Sequence, residues 1–369
     1  MFRPTKALID LAALRHNYAL AQAIAPRARN MVMVKGNAYG HGAVKVATAL
    51  APVAAAFGVA SIDEAFELRR NDIRQPILLL EGTFHQQEVA LAAQMNFWLL
   101  VENQAQVNAI LQSQNLAAQV RVWLGLDTGM RRLGFPTQGK AIQSAYEALS
   151  NSPNVHSGLV LQSHFACADN LEDPMTVAQL QTFYNALPTN STNLNHPISL
   201  ANSAGILGWP QSHGDWNRPG YMLYGNSPFA HHHAAAALLK PVMCFESRVI
   251  SSRTVLAGQT VGYDRHWTAD RDSTIVTVTV GYGDGYPRQA PNGTPVLIHG
   301  VRCPLVGRVS MDMISVDVTE LVETVEIGAR VVLWGKELLV NEIAQWCGTN
   351  GYELTTRMPA RVPRVSVDS

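Results

Sequence analysis

From Asn30 onward the chain alternates short β-forming runs with helical segments, and it does so eight times. The runs are MVMV, AFGVA, ILLL, FWLLV, QVRVWLGL, GLVLQSHF, PISLA and GYMLY. Between them lie SIDEAFELRR, QAQVNAILQSQ, GKAIQSAYEALS and DPMTVAQLQTFYNAL, whose apolar positions recur three and four apart, as amphipathic helices require. Eight strands alternating with helices over roughly 200 residues predict a (β/α)8 TIM barrel. An open doubly wound sheet is the competing arrangement, but no G-x-G-x-x-G fingerprint follows the first strand.

After about Pro228 the pattern changes. AHHHAAAALLK is a poor core segment and reads as a connection, while VMCFESRVI, STIVTVTV, TPVLIHG and ISVDV, punctuated by Gly, Pro, Asn and Asp, predict a mainly antiparallel β domain. The expected division is a barrel over residues 1–229 and a C-terminal β domain over 230–369, with residues 1–12 joining the β domain as an added strand. A chain of 369 residues suits two domains. His231, His232 and His233 are adjacent, so their side chains diverge, and they read as a solvated linker rather than a metal site.

Composition excludes several function classes. The 28 basic and 28 acidic side chains balance, which leaves no electrostatic footprint for nucleic acid or anionic lipid. Cys167, Cys244, Cys303 and Cys347 are far apart with no metal-ligand spacing, so they read as reduced packing residues, and no metal is expected. The N-terminus carries Asp10, Arg15 and His16 inside its apolar pattern, and no window reaches the ~18 to 20 uncharged apolar residues of a membrane span. A soluble, cytoplasmic protein acting on a small molecule is the expectation.

In a barrel of this kind the chemistry sits at the C-terminal ends of the strands and in the loops after them. Lys35 ends the first run and is followed by GNAYGHG; the loop after the fifth reads DTGMRRLGF; the sixth ends in SHFACAD with His164. The seventh leads into ANSAGIL, and the eighth segment opens with NRPGYMLYG. Taken alone, Lys35 reads most simply as an ion-paired lysine at a strand end. Desolvation at a barrel mouth would weaken its hold on the proton, which suits a Schiff-base role. Asn202, Ser203 and Gly205 at a helix start, with Gly220 and Tyr221, offer N–H groups and hydroxyls to a phosphate. A lysine beside a phosphate pocket points to pyridoxal phosphate.

VKGNAYGHG, DTGMRRLGF, SHFACAD, ANSAGIL, RPGYMLYG, VGYDRHW, GYGDGYPR and GRVSMDM, in that order, resemble the motifs of bacterial alanine racemases over essentially the whole chain. The resemblance implies a barrel followed by a β domain, pyridoxal 5'-phosphate, alanine as substrate, and a homodimer whose sites are completed by the partner's β domain. It implies Lys35 as the cofactor lysine and one catalytic base, and Tyr263 as the opposing base, although on sequence alone Tyr263 is an ordinary strand or turn tyrosine. Tyr39, Ser203, Tyr352 and the backbone at Gly220 and Tyr221 should hold the phosphate. His164 should pack against the ring and Arg218 should face the pyridine nitrogen; a guanidinium does not readily give up its proton, so the nitrogen stays unprotonated, which favours racemisation over transamination. Arg132 and the backbone at Met311 should take the substrate carboxylate, with Tyr282 at the entrance.

There is one departure from the family pattern. Two residues before the Asp of DTGM, many relatives carry a lysine that becomes carbamylated and steadies the arginine equivalent to Arg132; here the residue is Gly125. Arg132 is therefore expected to be held by something else: an anion, a water or a side chain from elsewhere. GYGDGYPR reads as a tight turn rather than a nucleotide loop, since no helix pattern follows it. Alternatives to the racemase are a decarboxylase on a similar barrel, disfavoured by Arg218, a broader amino-acid racemase, and a non-enzymatic pyridoxal-phosphate-binding protein, disfavoured by the β domain with Tyr263.

Overall fold

The computed structural model describes residues 3–188 and 196–368. Eight parallel strands form the barrel: in chain order Arg29–Met33, Ala56–Val59, Ile77–Leu79, Phe97–Val101, Val122–Asp127, Val160–Gln162, Ile198–Ser199 and Trp216–Asn217. Each ladders onto the next through the seventh, and the eighth returns to pair with the first. The expected helices lie between them at Ile62–Arg70, Gln104–Gln112, Ala141–Ser150 and Met175–Asn185.

The eighth strand corrects the sequence reading. GYMLY is not a strand: Tyr221–Tyr224 is a 3-10 helix with all four side chains buried, and the strand lies earlier, at Trp216–Asn217. A short buried apolar run has no periodicity that separates a strand from a buried helical turn, and two residues of strand leave no pattern at all.

Because strand side chains alternate, one set points into the barrel. Met31, Met33, Ala56, Leu78, Trp98, Leu100, Trp123, Val160 and Trp216 form that inner core. Its three tryptophans meet at centroid distances of 5.5 to 6.4 Å, and the Arg29 guanidinium covers Trp216 at 4.2 Å. Apolar bulk thus fills the N-terminal end, which leaves the next inward positions at the C-terminal end for polar groups.

The β domain is built on a thirteen-residue strand, Met243–Val255. Its first half pairs with Lys6–Asp10 and Arg330–Trp334, its second half with Ser273–Val278. The order Ser273–Val278, Ile314–Asp317, Val301–Val306, Pro295–Ile298, Arg330–Trp334 and back to Met243–Val255 closes the sheet on itself, which hides edges that would otherwise invite pairing. Lys6–Asp10 also pairs in parallel with Arg364–Val367, so the two ends of the chain lie side by side. Among the described residues, no helix is long and apolar enough to cross a membrane.

Candidate active site

A cavity of about 780 Å³ opens at the C-terminal end of the barrel. It gathers Lys35, Tyr39, Arg132, His164, Asn202, Ser203, Arg218, Gly220, Tyr221 and Tyr352, ten of the thirteen residues expected from sequence.

Lys35 continues the inward face of Met31 and Met33. Directly after it the backbone makes a left-handed turn, with φ of 62° at Gly36 and 54° at both Asn37 and Ala38. Left-handed turns are unfavourable for L-residues, so other contacts must hold this one. Glu64 supplies them: its two carboxylate oxygens accept from Gly36 N–H and Ala60 N–H, each at 2.7 Å. Asn37 Oδ1 accepts from Ala43 N–H at 2.8 Å. Burial, then Arg132, pushes the Lys35 amine below the usual lysine range against the pull of Glu81 and Glu64. A larger fraction is therefore neutral and nucleophilic near pH 7.

Arg218 closes the barrel. Strands seven and eight make no ladder, and the side chain of Arg218 bridges the seam: Nη1 donates to Ser199 O at 2.9 Å and Ser199 Oγ at 2.6 Å, and Nη2 to Ser163 O at 2.7 Å and Leu200 O at 3.3 Å. Nη2 also lies 3.2 Å from His164 Nδ1. Burial lowers the guanidinium only to about 10, so it stays charged at neutral pH. Burial, followed by Arg218, Arg132 and Lys35, drives His164 down to about 3. The ring is neutral across the physiological range, a flat apolar face with no charge of its own.

On the opposite wall the hydroxyl of Ser203 accepts from Gly220 N–H at 3.1 Å and Met222 N–H at 3.2 Å. Asn202 caps the short helix Ser203–Gly208 through Gly205 N–H. A Cβ at Gly220 would stand 2.7 Å from Tyr39 Oη, so glycine keeps the space beside that hydroxyl open. Tyr221 stacks on Tyr352 at 3.6 Å and donates to Asn341 Oδ1 at 2.5 Å. Burial raises Tyr39 to about 12, so its hydroxyl remains a donor.

The remaining three residues are elsewhere. Tyr263, Tyr282 and Met311 do not line the cavity; they are 69%, 39% and 54% exposed on the β domain. Tyr282 N–H and Gly283 N–H donate to Ser310 O and Met311 O, which joins the Tyr282 turn to the Met311 loop.

Sequence reasoning missed Glu64, Glu102, Gln179 and Asn341. Gln179 ties the loops after strands five and six by donating to Thr128 Oγ1 and His164 O and accepting from Ala166 N–H. Glu102 is the next inward residue after Trp98 and Leu100. That period-two spacing, with a carboxylate where an apolar residue belongs, was the available signal.

A (β/α)8 barrel with a desolvated lysine at its mouth, joined to a closed β domain, is an enzyme scaffold suited to lysine-centred chemistry on small molecules. The chain matches the family model described as "Alanine racemase, N-terminal domain" over residues 9–228 and "Alanine racemase, C-terminal domain" over residues 242–366. It belongs to the alanine racemase family. The biosynthetic alanine racemase of Pseudomonas aeruginosa is 48% identical over 98% of this chain and 99% of its own length. Its crystal structure superposes with a TM-score of 0.93 at 47% identity, covering 99% and 100% of the two chains. The catabolic alanine racemase of Pseudomonas putida is 47% identical over 98% of each chain. A Bartonella henselae alanine racemase with covalently bound pyridoxal phosphate has a TM-score of 0.88 and 30% identity over 99% of each chain.

Proposed function

We propose that this chain interconverts L- and D-alanine in the cytoplasm as a pyridoxal-phosphate-dependent homodimer, supplying D-alanine for peptidoglycan or serving alanine catabolism. The observation that carries the reading is the convergence on one cavity of an amine with a weakened hold on its proton, a fixed guanidinium and the hydroxyls of Ser203, Tyr39 and Tyr352. These fit the cofactor. The Ser203, Tyr39 and Tyr352 hydroxyls with the backbone at Gly220 and Tyr221 suit a phosphate, Arg218 a pyridine nitrogen, neutral His164 a ring face, and Lys35 an aldehyde carbon. When bound, pyridoxal phosphate withdraws electrons from the amino acid and makes its Cα–H acidic.

The protein's part is to move two protons. Lys35 Nζ takes one from Cα on one face and Tyr263 Oη delivers another on the opposite face, so atoms balance and nothing is oxidised. The exposure of Tyr263, away from the Lys35 cavity, supports its delivery by the partner's β domain. Arg132 and Met311 N–H hold the substrate carboxylate, and Tyr282 narrows the entrance. Retaining the carboxylate and keeping a proton on Arg218 both favour racemisation over decarboxylation.

The test is the visible spectrum of the purified protein with circular dichroism of L-alanine over time, for wild type, Lys35→Ala and Tyr263→Phe. The expected result is a lysine-bound cofactor band in wild type and Tyr263→Phe, and loss of racemisation in both variants. A cofactor band without turnover of alanine would overturn the substrate assignment; no band would overturn the cofactor assignment.

A further inference from the structure

The inward face of the fourth barrel strand ends in a carboxylate for which the expected site has no use. Glu102 follows Trp98 and Leu100 on that face, is 6% exposed, and its Oε2 has no hydrogen-bond partner among the described residues. A buried, unpartnered carboxylate is costly, and such groups persist where they are paired or functional. Its space is provided by the neighbouring strand: a Cβ on Gly125 would lie 2.2 Å from Oε2, and the three nearest atoms to that Cβ all belong to Glu102.

Two guanidiniums act on Glu102, those of Arg218 and Arg132, with Asp127 opposing them. Arg218 is already fixed by Ser199, Ser163 and Leu200, so an anion adds nothing to its orientation. Arg132 is exposed on the loop after strand five and makes no hydrogen bond or ion pair among the described residues. A long, unrestrained side chain must be ordered before it can hold a substrate carboxylate well.

We propose that Glu102 is the positioning residue for Arg132: its fixed carboxylate draws the guanidinium inward and holds it in the orientation that receives the substrate carboxylate. Gly125 is the other half of the device, because any side chain there would displace Glu102. This rests on the reading of Arg132 as the group that binds substrate carboxylate. The remaining charged and titratable groups on the cavity wall are Lys35, Glu81, Asp127, His164, Asp169 and Arg218, with the hydroxyls of Tyr39, Tyr221 and Tyr352.

The experiment uses the holoenzyme and two readouts: KM and kcat for alanine, and the Kd of propionate, a carboxylate with no amino group, by calorimetry. Glu102→Gln should raise both KM and Kd about tenfold, with kcat within about threefold and the visible band unchanged. Gly125→Ala should reproduce the effect, but should add little in a Glu102→Ala background, since the three atoms nearest its added methyl all belong to Glu102. Burial raises Glu102 to about 7, so in wild type the affinity for propionate should fall as pH drops through about 7, and Glu102→Gln should be flatter over that window. Equal melting temperatures, or a higher one in the variant, exclude misfolding.

Tighter propionate binding by Glu102→Gln would overturn the proposal, because it would make Glu102 merely an adverse negative charge. A shifted visible band with unchanged KM would also overturn it, assigning Glu102 to Arg218. If Arg132→Lys leaves KM and Kd unchanged, the underlying reading of Arg132 fails, whatever Glu102 does.

Discussion

Arg218 closes the barrel and lines the cavity with one guanidinium. Its bonds to Ser199, Ser163 and Leu200 replace the ladder missing between the last two barrel strands, and they fix the same group beside His164. Arg218→Ala should lower stability by about 3 kcal/mol or more, since several buried acceptors lose their donor, and denaturant unfolding measures this. Arg218→Lys should recover only part, because an ammonium lacks the planar fork. Glu102 gives a stability prediction of opposite character. Burial raises its folded pKa to about 7, above the ordinary glutamate range, so the folded state binds the proton more tightly. Stability from this group is full below the unfolded value and is lost as pH rises through about 7. Glu102→Gln should therefore melt above wild type at pH 8, with the gap closing toward pH 5; a constant gap would deny the buried proton.

At the scale of elements, the turn after Lys35 is the most demanding local structure. Glycine reaches positive φ at no cost, but Asn37, Ala38 and Tyr39 are at 54°, 54° and 53°. Glu64, in the first turn of the helix Ile62–Arg70 that follows the second barrel strand, holds this turn from outside. Glu64→Gln places an amide N–H against one of two backbone donors, which should cost about 1–3 kcal/mol and lower kcat more than it raises KM, because the turn aims Lys35. Thermal melts and steady-state kinetics separate the two effects. This element also shows what a sequence can and cannot reveal. The position of Lys35 at a strand end was legible from the run MVMV and the glycines after it. Glu64 was not, because it reads as one charge on an amphipathic helix until the fold brings it to Gly36. Glu102 and Gly125 are 23 positions apart and become neighbours only through strand pairing. The eighth strand was misplaced for a third reason, since Trp216–Asn217 is too short to show any period.

At the scale of the whole molecule, the barrel and the β domain were legible because each repeats its own period many times. The closure of the second sheet was not legible, since it depends on the single strand Met243–Val255 pairing in its two halves with different neighbours. The same scale decides how the two expected bases meet. Lys35 lies in the barrel cavity, whereas Tyr263, Tyr282 and Met311 are on exposed β-domain turns that do not line it. The Tyr282 turn and the Met311 loop are firmly built. Arg361 bonds Asp284 at 2.8 Å and Asp312 at 2.6 Å, which clamps the Tyr282 turn to the Met311 loop, and Arg3 pairs with Asp284 as well. Exposed turns that lie away from the cavity of their own chain suit insertion into a second copy rather than folding back over their own barrel. Mixing Lys35→Ala protomers with Tyr263→Phe protomers under conditions that exchange subunits tests this. If each site takes Lys35 from one copy and Tyr263 from the other, a mixed dimer holds one site with both bases and one with neither. With equal parts and random exchange, half the dimers are mixed, so racemisation should recover to about a quarter of wild type from two inactive parents. If Tyr263 serves the barrel of its own chain, every site lacks one base and no activity returns.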